Sequence, residues 1–283
     1  MTTCTTVANS MPAAAHRADT RAANQKSIER ALSHMRTHLA EPLDLDQLAT
    51  AASLSKFHFV RVFDELTGTT PLHFLSCLRM QRAKELLLNS EASITNICLE
   101  VGYASLGSFS KTFNSLVGLT PQDFRALPKR LGPMQFAKAV WGFLASDTKV
   151  KGPALQGVVE SPSRRRGFIF VGAFTEGVPQ GAPYSGTVLL KPGAFRIRRP
   201  DVPEFHLLAA FIPFSADLLA IVTTLPVGLV ASQRIQIIGA VEAPPLHLSL
   251  RPMAPTDPPI VLALPALPPW RDAFARSPAA AAS

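Results

Sequence analysis

Cysteine is scarce in this chain. Cys4, Cys77 and Cys98 are the only three; they form no Cys-x-x-Cys pair and stand at no metal-ligand spacing with histidine. A disulfide framework and a zinc finger are thereby excluded, and a reducing compartment, the cytoplasm, is expected. Charge is sparse too, at 17% of residues against 47% apolar. That balance excludes wholesale disorder and supplies a sizeable core for one large domain or two ordinary ones in 283 residues. Residues 1–25 hold no glycine and no continuous apolar stretch, so they make no secretory signal and read as a flexible tail. The charge that is present leans positive, with Lys+Arg 28, Asp+Glu 20 and a net of +8. Such a balance favours a polyanionic partner without separating DNA from a membrane surface.

Residues 207–231 are the one apolar run of membrane-spanning length. Asp217 lies near their centre, and Pro213 and Pro226 lie inside. An aspartate there costs about 2.5–3.5 kcal/mol on insertion scales, and two prolines break a helix that needs every backbone bond satisfied. Buried strands are the expected reading, with no membrane partner.

Proline marks the organisation better than charge does. It occurs once in residues 1–25, four times in 26–130 and twenty times in 131–283, and glycine occurs none, four and twelve times in the same segments. Helices tolerate few interior prolines, whereas strand-and-turn folds place them at edges and bends. The expected chain is therefore multidomain, α then β: a flexible tail over 1–25, an all-α domain over 26–130, a linker over 131–166, an all-β domain over 167–266 and a C-terminal tail over 267–283.

The helical block contains a repeat of fifty residues. Phe59, Phe63, Leu66, Gly68, Thr70 and Pro71 recur as Phe109, Phe113, Leu116, Gly118, Thr120 and Pro121, with Arg61 answered by Lys111, Ser55 by Ser105 and Phe74 by Phe124. In the first copy Asp44 and Gln47 have capping-box spacing ahead of a short helix with Leu45, Leu48, Ala49 and Ala52 on one face. A turn at Ser53-Leu54 leads to Ser55, which caps a second helix burying Phe59, Val62, Phe63 and Leu66 and ending at Gly68. In the second copy Ser93 caps a helix bearing Ile94, Ile97 and Val101, Gly102 opens the turn, and Ser105 or Ser108 caps a helix bearing Phe109, Phe113 and Leu116. Thr-Pro starts the next helix each time. Two short helices, a tight turn and a second helix with an uncommitted outer face describe a helix-turn-helix. One long helix from Pro71 onward separates the two copies.

Residues 26–130 resemble the double helix-turn-helix DNA-binding domain of the AraC/XylS family of bacterial transcription regulators. The resemblance is carried by Ile97-x4-Gly102-Tyr103-x4-Ser108-Phe109-Ser110-Lys111-x-Phe113-x4-Gly118-x-Thr120-Pro121-x2-Phe124-Arg125 and by the linker run Leu78-Arg79-x2-Arg82-Ala83-Lys84-x-Leu86-Leu87. It implies about seven helices, with the second helix of each unit entering the major groove of double-stranded DNA about one helical turn apart. Carried over by position, Lys56, Phe57, Val60 and Arg61 read bases in the first unit, and Leu106, Gly107, Ser110 and Lys111 in the second. Arg61 is the candidate for bidentate contact with guanine; its competing partners are Asp64 and Glu65 on its own helix. Ser55, Arg79, Arg82, Lys84, Ser105, Ser108 and Arg125 are phosphate candidates. RNA polymerase is a further partner that the resemblance implies.

Other residues are assigned bland roles. Cys77 and Cys98 fall on apolar helix faces and read as core, and His58 and His73 as surface or interhelical side chains. His38-x-x-Glu41 has the short spacing of some zinc peptidases but stands beside Pro42 with no third ligand. No catalytic residue, metal or cofactor is expected, and the chain is not expected to be an enzyme.

Beyond residue 166, apolar β-branched runs alternate with Pro/Gly turns over 168–174, 184–190, 194–198, 205–212, 218–225, 234–241, 246–250 and 260–264. That spacing suggests a β-sandwich. Ser185-Gly186-Thr187-Val188, Gly193-x-Phe195-x-Ile197 and Val202-Pro203-x-Phe205-x-Leu207 resemble the transthyretin-like, carboxypeptidase-regulatory-like sandwich, with Glu204 where a glycine is usual. The region has no Gly-x-Ser-x-Gly, P-loop or dinucleotide glycine motif. Two roles stay open for it, a small-molecule effector domain or a protein-interaction and oligomerisation module. Arg164-Arg165-Arg166 and Arg196, Arg198, Arg199 form two basic clusters that bind flanking phosphate or an anionic effector, or else are a linker and a solvated strand face.

Overall fold

The computed structural model describes residues 11–130, 153–163, 166–180, 183–214, 228–236 and 245–263. Seven helices precede seven strands among them: α1 (Met11–Thr37), α2 (Leu45–Ala52), α3 (Lys56–Thr67), α4 (Pro71–Asn89), α5 (Ile94–Glu100), α6 (Leu106–Val117), α7 (Pro121–Arg130), then β1 (Ala154–Glu160), β2 (Gly167–Phe174), β3 (Ser185–Leu189), β4 (Gly193–Arg198), β5 (Glu204–Pro213), β6 (Leu229–Gln236) and β7 (Leu246–Ser249). The chain is α then β. No helix among the described residues is long and apolar enough to cross a membrane.

The caps form where the sequence places them. Asp44 accepts from the Gln47 backbone N–H and Gln47 Oε1 accepts from the Asp44 N–H, both at 2.8 Å, which closes the capping box of α2. Gly68 and Gly118 end α3 and α6 in the left-handed conformation, at φ 71° and 86°. The two turns differ by one residue. In the first unit the left-handed position is Ser53 (φ 56°), two residues before the cap Ser55; in the second it is Gly102 (φ 83°), three before Ser105. A Cβ on Gly102 would also lie 2.8 Å from the carbonyl oxygen of Ala40, so conformation and space both require glycine there.

Each unit has its own core, and α4 belongs to both. Phe74, Leu75 and Leu78 pack with Ile28, Leu32 and Met35 of α1 and with Leu48, Phe59 and Phe63; on the opposite side Met80, Ala83 and Leu87 pack with Ile97, Phe109, Phe113 and Phe124. The repeat is reproduced ring by ring. Phe63 lies 5.5 Å from Phe59 and 5.6 Å from Phe74, and Phe113 lies 5.8 Å from Phe109 and 5.6 Å from Phe124. Cys77 and Cys98 are buried free cysteines, and burial pushes the Cys77 thiol up to about 12, which keeps it protonated and inert.

The β domain is two facing sheets, ordered β4-β1-β7 and β3-β2-β5-β6. β1 pairs antiparallel with β4 and parallel with β7, and the four-stranded sheet is antiparallel throughout. Alternation along the strands sends Leu155, Val159, Phe195, Ile197, Leu246 and Leu248 from one sheet against Ile169, Val171, Phe205, Leu207 and Phe211 from the other.

Several expectations are corrected. Helix α1 begins at Met11, inside the stretch expected to be tail, and its C-terminal part from Ile28 on is held by the first core. Strand β1 lies within the expected linker 131–166, because it is completed by partners far along the chain. β6 is Leu229–Gln236, so it begins five residues ahead of the expected 234–241, in a register that pairs Arg234 with His206, while 237–241 fall outside the described residues. Residues 260–263 form no strand; Ala263 N–H instead donates to the carbonyl of Val117 in α6 at 3.0 Å. The expected strand over 218–225 falls outside the described residues.

The two domains share a packed seam. Val178, Val261 and Ala263 enter the core of the second helical unit. Gly177 approaches Gly68 so closely that a Cβ on it would stand 2.2 Å from the Gly68 carbonyl oxygen. Arg36 also reaches across, donating to the carbonyl of Pro255 at 3.1 Å.

Candidate nucleic-acid interface

Helices α3 and α6 each bury one face and leave the other bare. Phe59, Val62 and Phe63 on α3 and Phe109, Phe113 and Leu116 on α6 are buried, which fixes the orientation of what remains. On α3 the outward residues are Lys56, Phe57 and Arg61, with Val60 half-buried; Phe57 is 90% exposed, which is unusual for a phenylalanine with no partner of its own. On α6 they are Leu106, Gly107 and Lys111, with Ser110 half-buried. Nothing lies within 4 Å of a Cβ placed on Gly107, so internal packing does not select glycine there.

The cations of the first helix are held by counter-ions. Arg61 Nη1 is 2.6 Å from Glu65 Oε1 one turn along, and Lys56 Nζ is 2.8 Å from Asp46 Oδ2 on α2, a hydrogen bond that raises the ammonium pKa. Exposed pairs of this kind are worth only about 0.2–1 kcal/mol, so both side chains can exchange partners at low cost. Glu65 is legible in the sequence as an i+4 partner of Arg61. Asp46 is not, since it reaches Lys56 only through the turn.

The phosphate candidates divide. Ser55, Ser105 and Ser108 are exposed at the N-termini of α3 and α6, where backbone N–H groups point outward; Ser105 accepts from the Ser108 N–H at 3.3 Å, and Ser55 makes no side-chain cap bond. Arg82 is exposed and bridges Glu85 at 3.2 Å and Glu100 at 3.4 Å. The other three are turned inward. Lys84 is 3% exposed and donates to the carbonyl of Val261 at 3.1 Å, with its ammonium 5.6 Å from the Phe124 ring centre. Arg79 donates to the carbonyls of Leu39 at 3.0 Å and Glu41 at 2.7 Å and lies over the Tyr103 ring; Arg125 donates to Leu87 at 3.3 Å and Ala92 at 2.6 Å. Lys84 is therefore a buried residue of the domain seam, and Arg79 and Arg125 tie loops to helices. Helical spacing alone did not reveal these acceptors, which are backbone carbonyls distant in sequence.

Of the two basic clusters, Arg164 and Arg165 lie outside the described residues. Arg198 pairs with Asp201 at 3.2 Å and lies over the Tyr184 ring, while Arg196 is exposed on the three-stranded sheet.

Residues 48–127 match the family model described as a helix-turn-helix domain. Among curated proteins, the chain is 38% identical over 93 residues to the MmsAB operon regulatory protein of Pseudomonas aeruginosa, covering 33% of this chain and 30% of that protein. It is 36% identical over 89 residues to the RCS-specific HTH-type transcriptional activator RclR of Escherichia coli, covering 31% of each. Among solved structures, a transcriptional regulator from Chromobacterium violaceum, titled for AraC-type DNA-binding domain-containing proteins, is 32% identical over 39% of this chain and 99% of its own, with a TM-score of 0.37. The chain spans about a third of the length of these curated relatives.

Proposed function

We propose that this chain is a sequence-specific DNA-binding transcription regulator of the AraC/XylS type, acting in the cytoplasm on double-stranded DNA. The observation that carries the reading is the duplicated unit: two helices, α3 and α6, buried by equivalent phenylalanines, both braced by α4, and each presenting an outer face with no internal role. Lys56, Phe57, Val60 and Arg61 are the base-reading set of the first unit, and Leu106, Gly107, Ser110 and Lys111 of the second. Arg61 takes guanine in exchange for Glu65, and Phe57 meets thymine methyl or sugar, since it has no donor. Ser55, Ser105, Ser108 and Arg82 position the phosphates. The names of these relatives, a regulatory protein and a transcriptional activator, agree with this reading, and RNA polymerase is the partner through which occupancy would be read out.

The β domain, read as a transthyretin-like sandwich, is the sensing module in this proposal. A ligand-sized cleft on its four-stranded sheet favours sensing over simple assembly.

The test is footprinting of DNA flanking the chain's own gene. Wild-type protein is expected to protect a defined site, and Arg61→Ala to lose about 1–3 kcal/mol of discrimination at the guanine it contacts. Protection indifferent to both Arg61→Ala and Lys111→Ala would refute the assigned faces.

A further inference from the structure

A cleft of about 810 Å³ opens between the end of α3, the α3–α4 turn and the outer face of the four-stranded sheet. That volume suits a drug-sized molecule, for which sites run at about 300–1,000 Å³. Strand alternation builds its floor. Inner positions of β2 and β5 fill the sandwich, so the intervening Phe170, Phe174, Leu208, Ala210 and Ile212, with Val230 of β6, face the cleft. A sheet with apolar residues on both faces is expected to be covered on both, and here one cover is the helical domain with space left between.

The rim carries an excess of carboxylates. Five of them line the cleft, Asp64, Glu65, Glu176, Glu204 and Asp257, and three have guanidinium partners: Glu204 with Arg234, Asp257 with Arg251 at 2.6 Å, and Glu65 with Arg61. Asp64 and Glu176 remain, one from each domain, and neither has an ion pair among the described residues. The Arg234 guanidinium, already held by Glu204, acts on Asp64 only at longer range, and His73 and His206 stand near the two carboxylates without pairing with them. Burial lowers the pKa of both, against the opposing pull of Glu176, and His73 Nε2 is buried with no hydrogen-bond partner.

We propose that this cleft binds a small amphipathic organic cation, with its ammonium between Asp64 and Glu176 and its apolar body on the half-exposed Phe170 and Leu208. The Phe170 ring adds cation–π attraction. The site deepens the sensing role proposed above and rests on it. Asp64 lies one turn from Arg61 on the reading helix, so a bound ligand touches the element that would read DNA.

The experiment is calorimetric titration of the full chain with 3,3-diphenylpropylammonium, alongside the matching alcohol, 3,3-diphenylpropan-1-ol, and carboxylate, 3,3-diphenylpropanoate. The ammonium should bind saturably at one site and about ten-fold or more tighter than the alcohol, with the carboxylate weakest. Asp64→Asn/Glu176→Gln, at two exposed positions, should erase that preference, and Ser232→Trp on the cleft wall should weaken the ammonium and the alcohol alike. Equal binding of ammonium and alcohol, preference for the carboxylate, binding unaffected by the double variant, or no binding at all would each overturn the proposal. A chain that protects its DNA but binds no ammonium sinks the ligand site alone. One that binds ammonium but protects no DNA sinks the regulatory reading instead.

Discussion

Replacing Phe113 with alanine is expected to lower the unfolding free energy by about 3–5 kcal/mol, the usual cost of deleting a buried phenylalanine ring. Its side chain is fully buried between Phe109 and Phe124. The loss also spreads beyond one helix. Val178, Val261 and Ala263 of the β domain pack into the same core, so the cavity lies beneath the seam that joins the domains. Urea unfolding followed by far-ultraviolet circular dichroism checks this; a change below about 1 kcal/mol would contradict the packing described.

The second large effect is on pH dependence. Burial lowers the Lys84 ammonium to about 7, with only Glu85 pulling the other way. In the unfolded chain the same group titrates near 10.5. The unfolded state therefore holds more protons between these values, and stability must rise with pH across that window. Cys77 acts oppositely above its ordinary 9.0, because its buried thiol resists ionisation. The clean window is pH 7 to 9, where Lys84 should add about 2 kcal/mol of stability. Unfolding titrations of wild type and Lys84→Met across that range should show the rise in the first and its absence in the second. An equal slope in both would mean that Lys84 is solvated. The readout is the slope, since the variant also strips Val261 of its hydrogen-bond donor and shifts the absolute value.

What was legible in the sequence was what depends on near neighbours. The capping box at Asp44, the left-handed Gly68 and Gly118 and the phenylalanines at four-residue spacing are local signals, and the fifty-residue repeat states each of the last two twice. Both helical cores follow from them. Where burial is created by distant partners, the sequence is silent. β1 reads as linker because Gln156 and Val158 alternate with apolar residues too weakly to mark a strand until β4 and β7 flank it. Lys84 reads as a surface cation because its acceptor lies 177 residues further along. The residues proposed to read bases are the outward remainder of a legible helix. Their occupied state, with Glu65 on Arg61, was legible only as one of two alternatives. The cleft was not legible at all, since it is formed by the outer face of one domain against the end of a helix in the other.

The net positive charge proves a poor guide to the candidate interface. Lys+Arg exceed Asp+Glu by only 12 to 10 in residues 26–130, and by 16 to 10 elsewhere. In the proposed reading, specificity is asked of a few placed side chains on α3 and α6 instead of a strong basic field.

The central claim, that two equivalent helices read DNA together, is tested most directly by selection from a random duplex library with the full chain. The expected result is an enriched sequence with two separate elements about one helical turn apart, the first of which disappears when Arg61→Ala protein is used. A single element that persists with Arg61→Ala, or no enrichment over the starting library, would contradict it.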